Sequence, residues 1–174
     1  MGSRDADEYA QFVHAVQHRL RRTAYLMTGD WAVAADLTQE ALIKLYMAWP
    51  RIERGGGLAT YARRTVVSTV LDHQRSRALR PESPLTDADL HVVQDETDLV
   101  EERERLMSAL REIPPRQRAT VVLRYFEELS VAETAAAMQC SEGNVKSQTS
   151  AALTALRARL GDLQLPGAGI GGTG

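Results

Sequence analysis

A chain of 174 residues, 44% hydrophobic and 25% charged, has the make-up of one large or two small folded domains, and its low aromatic content suits helices. The single cysteine, Cys140, excludes an internal disulfide and has no Cys or His cluster around it for zinc, so a reducing cytoplasm is expected. No apolar run approaches membrane-spanning length, and MGSRDADEYA lacks the apolar core of a secretion signal, so neither membrane insertion nor export is expected. The net charge of −2 conceals an uneven distribution: residues 1–80 carry 12 Lys/Arg against 8 Asp/Glu, residues 81–104 carry 1 against 9, and residues 105–174 carry 8 against 6. Two basic blocks around an acidic connector suggest two nucleic-acid-facing modules whose charge is masked by a linker.

Tyr9, Phe12, Val13, Val16, Leu20, Ala24 and Met27 recur at three- and four-residue steps, which predicts a first helix from about Asp7 to Met27, ended by Gly29. His14 and His18 on it are four apart, but no third ligand accompanies them and they read as surface residues. Asp30 is placed to cap a second helix that ends at Pro50. On that helix Ala34, Leu37, Ala41, Leu42, Leu45, Ala48 and Trp49 form a core-facing side, while Asp36, Gln39, Glu40, Ile43 and Met47 share the other. Scattered exposed apolar residues are ordinary. Ile43 and Met47 inside a rim of acids also fit a protein partner better than DNA, because carboxylates repel phosphates.

Arg51, Arg54 and a triple glycine form a basic loop, either a flexible connection or a close approach to a nucleic acid backbone. A third helix from Leu58 to Arg77 turns Leu58, Ala59, Ala62, Val66, Thr69 and Val70 inward, with Val67 and Leu71 widening the stripe. Its other face carries Tyr61, Arg64, Ser68, Asp72 and Arg75, with Arg63, Arg77 and Arg80 nearby and no Glu in the helix. An aromatic among arginines suits phosphate contact and stacking on an unpaired base, although a merely solvated basic face has the same composition. Residues 81–98, with two prolines and many acids, read as a linker.

Helical character resumes near Leu99, breaks at Pro114 and Pro115, and continues from Arg116 to Glu128, burying some combination of Val121, Val122, Tyr125 and Phe126. Ser130 and Glu133 form a capping box that opens the short helix VAETAAAM. Gln139-Cys140-Ser141 makes a turn, and Ser141 caps a helix starting near Glu142, which completes a helix-turn-helix pattern. In its second helix Asn144, Lys146, Ser147, Gln148 and Ser150 can reach base edges and phosphates, whereas Val145, Ala152, Leu153 and Leu156 can face inward. One lysine is a weak charge for such a helix, so Arg116, Arg118 and Arg124 are expected to supply backbone attraction. Residues 162–174 form a Gly-rich tail expected to be disordered. The fold class is therefore all-α: a helical domain over 1–80, an acidic flexible linker over 81–98, and a helix-turn-helix domain over 99–161.

DLTQE, then YARRTVVSTVLDHQRSR, then the acidic linker, then IPPRQRATVVLRYFEELSVAETAAAMQCSEGNVKS resembles a bacterial RNA polymerase sigma factor of the extracytoplasmic-function group, over about residues 8–160. The resemblance implies a non-catalytic initiation factor without a cofactor. It implies that Asp36, Leu37, Gln39 and Glu40 dock on the clamp coiled coil of the β′ subunit; Ile43 and Met47 join that surface on spacing alone. Arg51 to Arg77 would lie at the upstream edge of the melted minus-ten element of promoter DNA, where a base is held outside the stack. The helix-turn-helix, Ser141 and Glu142 included, would read the minus-thirty-five element near the β flap, and the resemblance leaves room for an anti-sigma protein. Ser68 stands where family members often carry Asn, and Gln148 and Ala151 where they often carry Arg. Two other readings remain at this point: a polymerase-binding helical adaptor without initiation activity, and a regulator using only its helix-turn-helix. An enzyme is disfavoured, because the Asp36/Glu40 pair lacks a His, a metal cluster or a phosphate loop beside it.

Overall fold

Among the described residues seven α-helices follow in chain order: α1 (Ser3–Thr28), α2 (Trp31–Ala48), α3 (Leu58–Ala78), α4 (Thr97–Glu112), α5 (Pro115–Val121), α6 (Val131–Met138) and α7 (Glu142–Leu160). The computed structural model describes residues 3–52, 57–80 and 97–161, and there is no strand among them. Arg54, most of the acidic segment 81–98 and the tail 162–174 lie outside the described residues. Thr97 and Asp98, expected in the linker, are the first residues of α4.

Local chemistry sets the boundaries. Gly29, at φ +75°, stops α1, and its N–H donates to the Tyr25 carbonyl at 2.7 Å, a left-handed cap that a side chain would strain. Asp30 then accepts from the N–H groups of Ala32 and Val33 at 2.8 and 3.0 Å, satisfying two orphan donors of α2. At Ala48 the α-helix tightens into a 3-10 turn, Trp49–Arg51, so Pro50 sits inside that turn rather than at the end of α2. At the other end of the chain Ser130 Oγ accepts from Glu133 N–H at 3.1 Å and Glu133 accepts from Ser130 N–H at 2.8 Å, the reciprocal box expected from the sequence. Gln139 takes the left-handed conformation in the turn (φ 52°), and Ser141 Oγ caps α7 by accepting from Asn144 N–H at 3.1 Å.

The first three helices bury one common layer: Leu20, Ala24 and Met27 from α1, Leu37, Leu42 and Leu45 from α2, and Val66, Val67 and Val70 from α3. Trp49 lies beneath Tyr9 and Phe12, with ring centroids 5.1 and 5.6 Å away. Ala59 is exposed against expectation, because the buried stripe of α3 begins only at Ala62, a turn into the helix. In the second half Leu110 and Ile113 pack with Val121, Val122 and Leu123 and with Ala152, Leu156 and Leu160 of α7. The segment Arg116–Glu128 is not one regular helix. After Val121 it widens into a π turn, Val122–Phe126, which rotates the following residues relative to an α-helical count, and Glu127 behind it is buried.

The two halves share a single buried cluster, and charged groups hold the seam. Helix α1 has no basic residue in its last turn, so its unsatisfied carbonyls depend on donors from elsewhere. Arg118 of α5, 8% exposed, supplies one by donating to Met27 O at 2.8 Å, beside Gln74 of α3, which donates to the same oxygen at 2.9 Å. Arg118 also donates to Arg111 O at 2.7 Å and Ile113 O at 3.2 Å, where α4 ends. One guanidinium thus caps the C-termini of two helices. Burial first, and neighbouring Arg111 second, lower its pKa to about 10, which leaves it charged at neutral pH. Arg111 donates to Gly29 O at 2.7 Å, and the missing side chain of Gly29 makes room: a Cβ there would lie 2.6 Å from Arg111 Nε.

The capping box carries a pH signature. Hydrogen bonds from Ser130 hold the Glu133 carboxyl below its ordinary value of 4.5. A group whose pKa is depressed by folding stabilises the fold above its unfolded pKa and loses that contribution as pH falls through the folded value. Ser130→Ala should therefore lower the urea midpoint at neutral pH, and the gap from the parent protein should narrow toward acid. A gap that stays constant or widens contradicts the cap.

Candidate functional site

Helix α2 presents two unlike sides. Leu37, Ala41, Leu42 and Leu45 are buried, and Lys44 ties the helix to α3 by donating to Thr69 Oγ1 at 3.1 Å while pairing with Glu40 at 2.7 Å. On the outward side Asp36, Gln39 and Glu40 are exposed around Ile43 (60% exposed) and Met47 (74%). Leu37, expected among the docking residues, is 5% exposed and faces the core, so its side chain supports this surface from beneath. Tyr46, which the sequence reading passed over, is 44% exposed and adds to the patch. Its position three residues after Ile43 is the signal that could have found it. Tyr46 is anchored edge-on to Tyr9 at 5.0 Å, and the Tyr9 hydroxyl donates to Leu42 O at 2.7 Å. Burial, and then Tyr46, raise the Tyr9 pKa above 10.0, so the hydroxyl keeps its proton and its role as donor.

The outer face of α3 carries exposed Tyr61, Arg64, Arg75 and Arg77, with Ser68 half-buried among them. Asp72 pairs with Arg75 at 3.3 Å, an exposed contact one turn apart. Arg51 is exposed at the end of the 3-10 turn. Arg63 differs from its neighbours: its side chain is 14% exposed and its Nε lies 3.5 Å from Glu127. Arg64 reaches the same part of the second half, its Nε 3.2 Å from the Gln139 side-chain amide, whose oxygen accepts from it in the amide orientation that turns the oxygen toward the guanidinium.

In the helix-turn-helix, Glu142, Asn144, Lys146, Ser147 and Ser150 of α7 are exposed, Gln148 is half-buried, and Val145 is fully buried. The three arginines expected to attract a DNA backbone separate in the structure. Arg116 is half-buried. Arg118 is committed to the three carbonyls at the seam and is not presented to a phosphate. Arg124 donates to Leu129 O and also lines an open cleft of about 300 Å³ along α7, with Lys146 and Arg157. Arg157 was missed by the sequence reading, although Lys146, Ser150, Leu153 and Arg157 fall on one helical face by spacing. Three cations around one cleft compensate for the sparse charge of α7 and suit an anionic backbone. No helix among the described residues is long and apolar enough to cross a membrane.

Comparison with known proteins matches this arrangement in order. Residues 12–80 match the family model for sigma-70 region 2, and residues 103–156 match that for sigma-70 region 4. The chain is 37% identical over 160 residues to the RNA polymerase sigma-E factor of Streptomyces coelicolor, covering 88% of this chain and 86% of that protein. It is 31% identical over 150 residues to the ECF RNA polymerase sigma factor SigM of Mycobacterium tuberculosis, covering 86% and 74%. In fold it is similar to the sigma factor RpoE in its co-crystal structure with the anti-sigma factor NepR from Bartonella quintana. That match has a TM-score of 0.74 and 22% identity, and it covers 90% of this chain and 99% of that one. A helical region 2 followed by a capped helix-turn-helix of region 4, on a chain that aligns along most of its length with curated relatives, identifies a promoter-recognising member of the sigma-70 family, and the chain belongs to its extracytoplasmic-function group of RNA polymerase sigma factors.

Proposed function

We propose that the chain is a non-catalytic cytoplasmic initiation factor that divides its contacts by charge: core polymerase on the acid-rimmed face of α2, promoter DNA on α3 and α7. The observation that carries this reading is the segregation itself. Ile43, Tyr46 and Met47 are exposed beside Asp36, Gln39 and Glu40, whereas the exposed arginines lie on other helices. An apolar patch rimmed by acids is unfavourable against DNA and suits a basic protein surface, here the β′ clamp coiled coil. On α3, exposed Tyr61 would stack on an unpaired minus-ten base, with Arg64, Arg75 and Arg77 on phosphates and Ser68 and Asp72 offering hydrogen bonds. Arg51 and Arg54 would extend that track. On α7, Asn144, Lys146, Ser147, Gln148 and Ser150 would meet the minus-thirty-five duplex, with Arg116, Arg124 and Arg157 on its backbone and the β flap alongside. An anti-sigma protein, the kind of partner in the Bartonella quintana complex, is a further candidate partner.

Run-off transcription with purified core polymerase over a promoter library tests the whole reading: a selected promoter class is expected. Core binding without selection would instead make the chain an adaptor. For the docking face, Ile43→Glu combined with Glu40→Lys should weaken core binding about hundredfold or more while circular dichroism stays helical. Unchanged affinity would refute that surface.

Lys146 and Arg118 separate DNA contact from structure. Lys146→Ala should lower the slope of log affinity against log salt for promoter duplex by about 1 and leave the urea midpoint unchanged. Arg118→Met should do the reverse, costing about 2–4 kcal/mol through carbonyls left short of donors without altering the slope. A changed slope for Arg118→Met on a duplex carrying the minus-thirty-five element alone, which α3 does not read, would return that arginine to the DNA interface.

A further inference from the structure

Glu127 is a buried carboxylate that neither the docking face nor the DNA-facing residues use. It follows the π turn and is 6% exposed, and its carboxylate meets Arg19, Thr23 and Arg63 of the first half of the chain. Its Oε1 accepts from Thr23 Oγ1 at 2.6 Å, a bond that is itself buried. Its Oε2 accepts from Arg19 Nε at 2.8 Å and lies 3.5 Å from Arg63 Nε. A buried carboxylate is tolerated only with such donors around it, so the contact between α1, α3 and the π turn is specific rather than a casual touch of two surfaces. Arg118 on Met27 O and Arg111 on Gly29 O bridge the same two halves at the end of α1.

We propose that Glu127 and Arg118 form an intramolecular latch that holds regions 2 and 4 closed on each other in the free protein and withholds Arg63 from DNA. The inference rests on the promoter-recognising reading given above. In the closed form Arg63 is 14% exposed and faces Glu127, and Arg64 is engaged by Gln139 of the helix-turn-helix turn, while Tyr61 stays exposed. The arrangement therefore masks part of the arginine track on α3 with the module that would read the other promoter element. The minus-ten and minus-thirty-five elements lie about 25 base pairs apart, roughly 85 Å along B-form DNA, so two modules in direct contact cannot occupy both. Residues 81–96, which join α3 to α4, can span up to roughly 55 Å at full extension, so the covalent connection permits separation. Polymerase and promoter then draw on a chain that must first break the Glu127 contacts, and occupancy of either module alone competes with the latch.

The test uses the full chain with spin labels at Ala32→Cys and Ala158→Cys, both exposed, in a Cys140→Ser background. Pulsed electron paramagnetic resonance should give one narrow distance distribution for this parent. Glu127→Gln, which keeps shape and removes charge, and Thr23→Val, which removes the buried donor, should each shift it to longer and broader distances. Affinity for a fluorescein-labelled oligothymidine strand should rise about fivefold in the opened variants, as expected when a competent state is no longer a minor population. Should Glu127→Gln lose helicity by circular dichroism, Thr23→Val decides. Unchanged distances in a folded variant, or a parent already broad, overturn the latch, and an opened chain with unchanged strand affinity overturns the withholding of Arg63. The distances are read without polymerase or promoter, so their failure leaves the sigma reading intact. Loss of run-off transcription would sink that reading and leave the distances unaffected.

Discussion

A carboxylate taken out of water must find donors, and at Glu127 they come from Arg19, Thr23 and Arg63, all more than sixty positions away in sequence. A second constraint of the same kind operates one turn further along α1, at Met27 after Thr23. Helix α1 ends with carbonyls that its own last turn does not satisfy; Gln74 of α3 donates to Met27 O, and Arg118 and Arg111 arrive from the other half to donate to Met27 O and Gly29 O. These polar groups are ones that separation would expose or orphan, so they set how the two halves meet, whereas the apolar surface between them does not specify a register. The π turn belongs to the same device, because it turns Glu127 inward at the end of a segment whose earlier residues already face the core.

The division of labour follows from what remains outside. Outside the seam, α3 and the cleft along α7 present exposed cations, and α2 presents an exposed apolar patch. Each surface is fixed by a stiff element beneath it: Leu37, Leu42 and Leu45 under the α2 patch, Val66 and Val70 under the arginine track, and Val145 and Leu156 under the exposed side of α7. Side chains held on packed helices lose less freedom on binding than those on loops, which favours selective contact with a large partner.

Much of this was legible in the sequence because it is local. Asp30, Gly29, the Ser130/Glu133 box and Ser141 act within a few residues of themselves, and the two-sidedness of α2 is a matter of spacing. What was not legible depends on partners far along the chain. Arg118 reads as one more cation for DNA until Met27, 91 residues away, appears beside it. Glu127 reads as a solvated acid until Thr23, 104 residues away, does so. Leu37 belongs to the DLTQE segment for which the resemblance implies docking and also sits at a core-facing position, where packing buries its side chain. The π turn leaves no residue signature, since nothing in VLRYF forbids an α-helix.

The central claim is that the free chain is one cooperative unit across the seam rather than two modules on a tether. Native-state hydrogen exchange of the full chain tests it most directly, through the amides of residues 19–28 in α1 and 118–127 in α5 and the π turn. The account predicts that both segments open with the same free energy and the same denaturant dependence. Exchange of the two segments at independent levels, each with its own denaturant dependence, would contradict it.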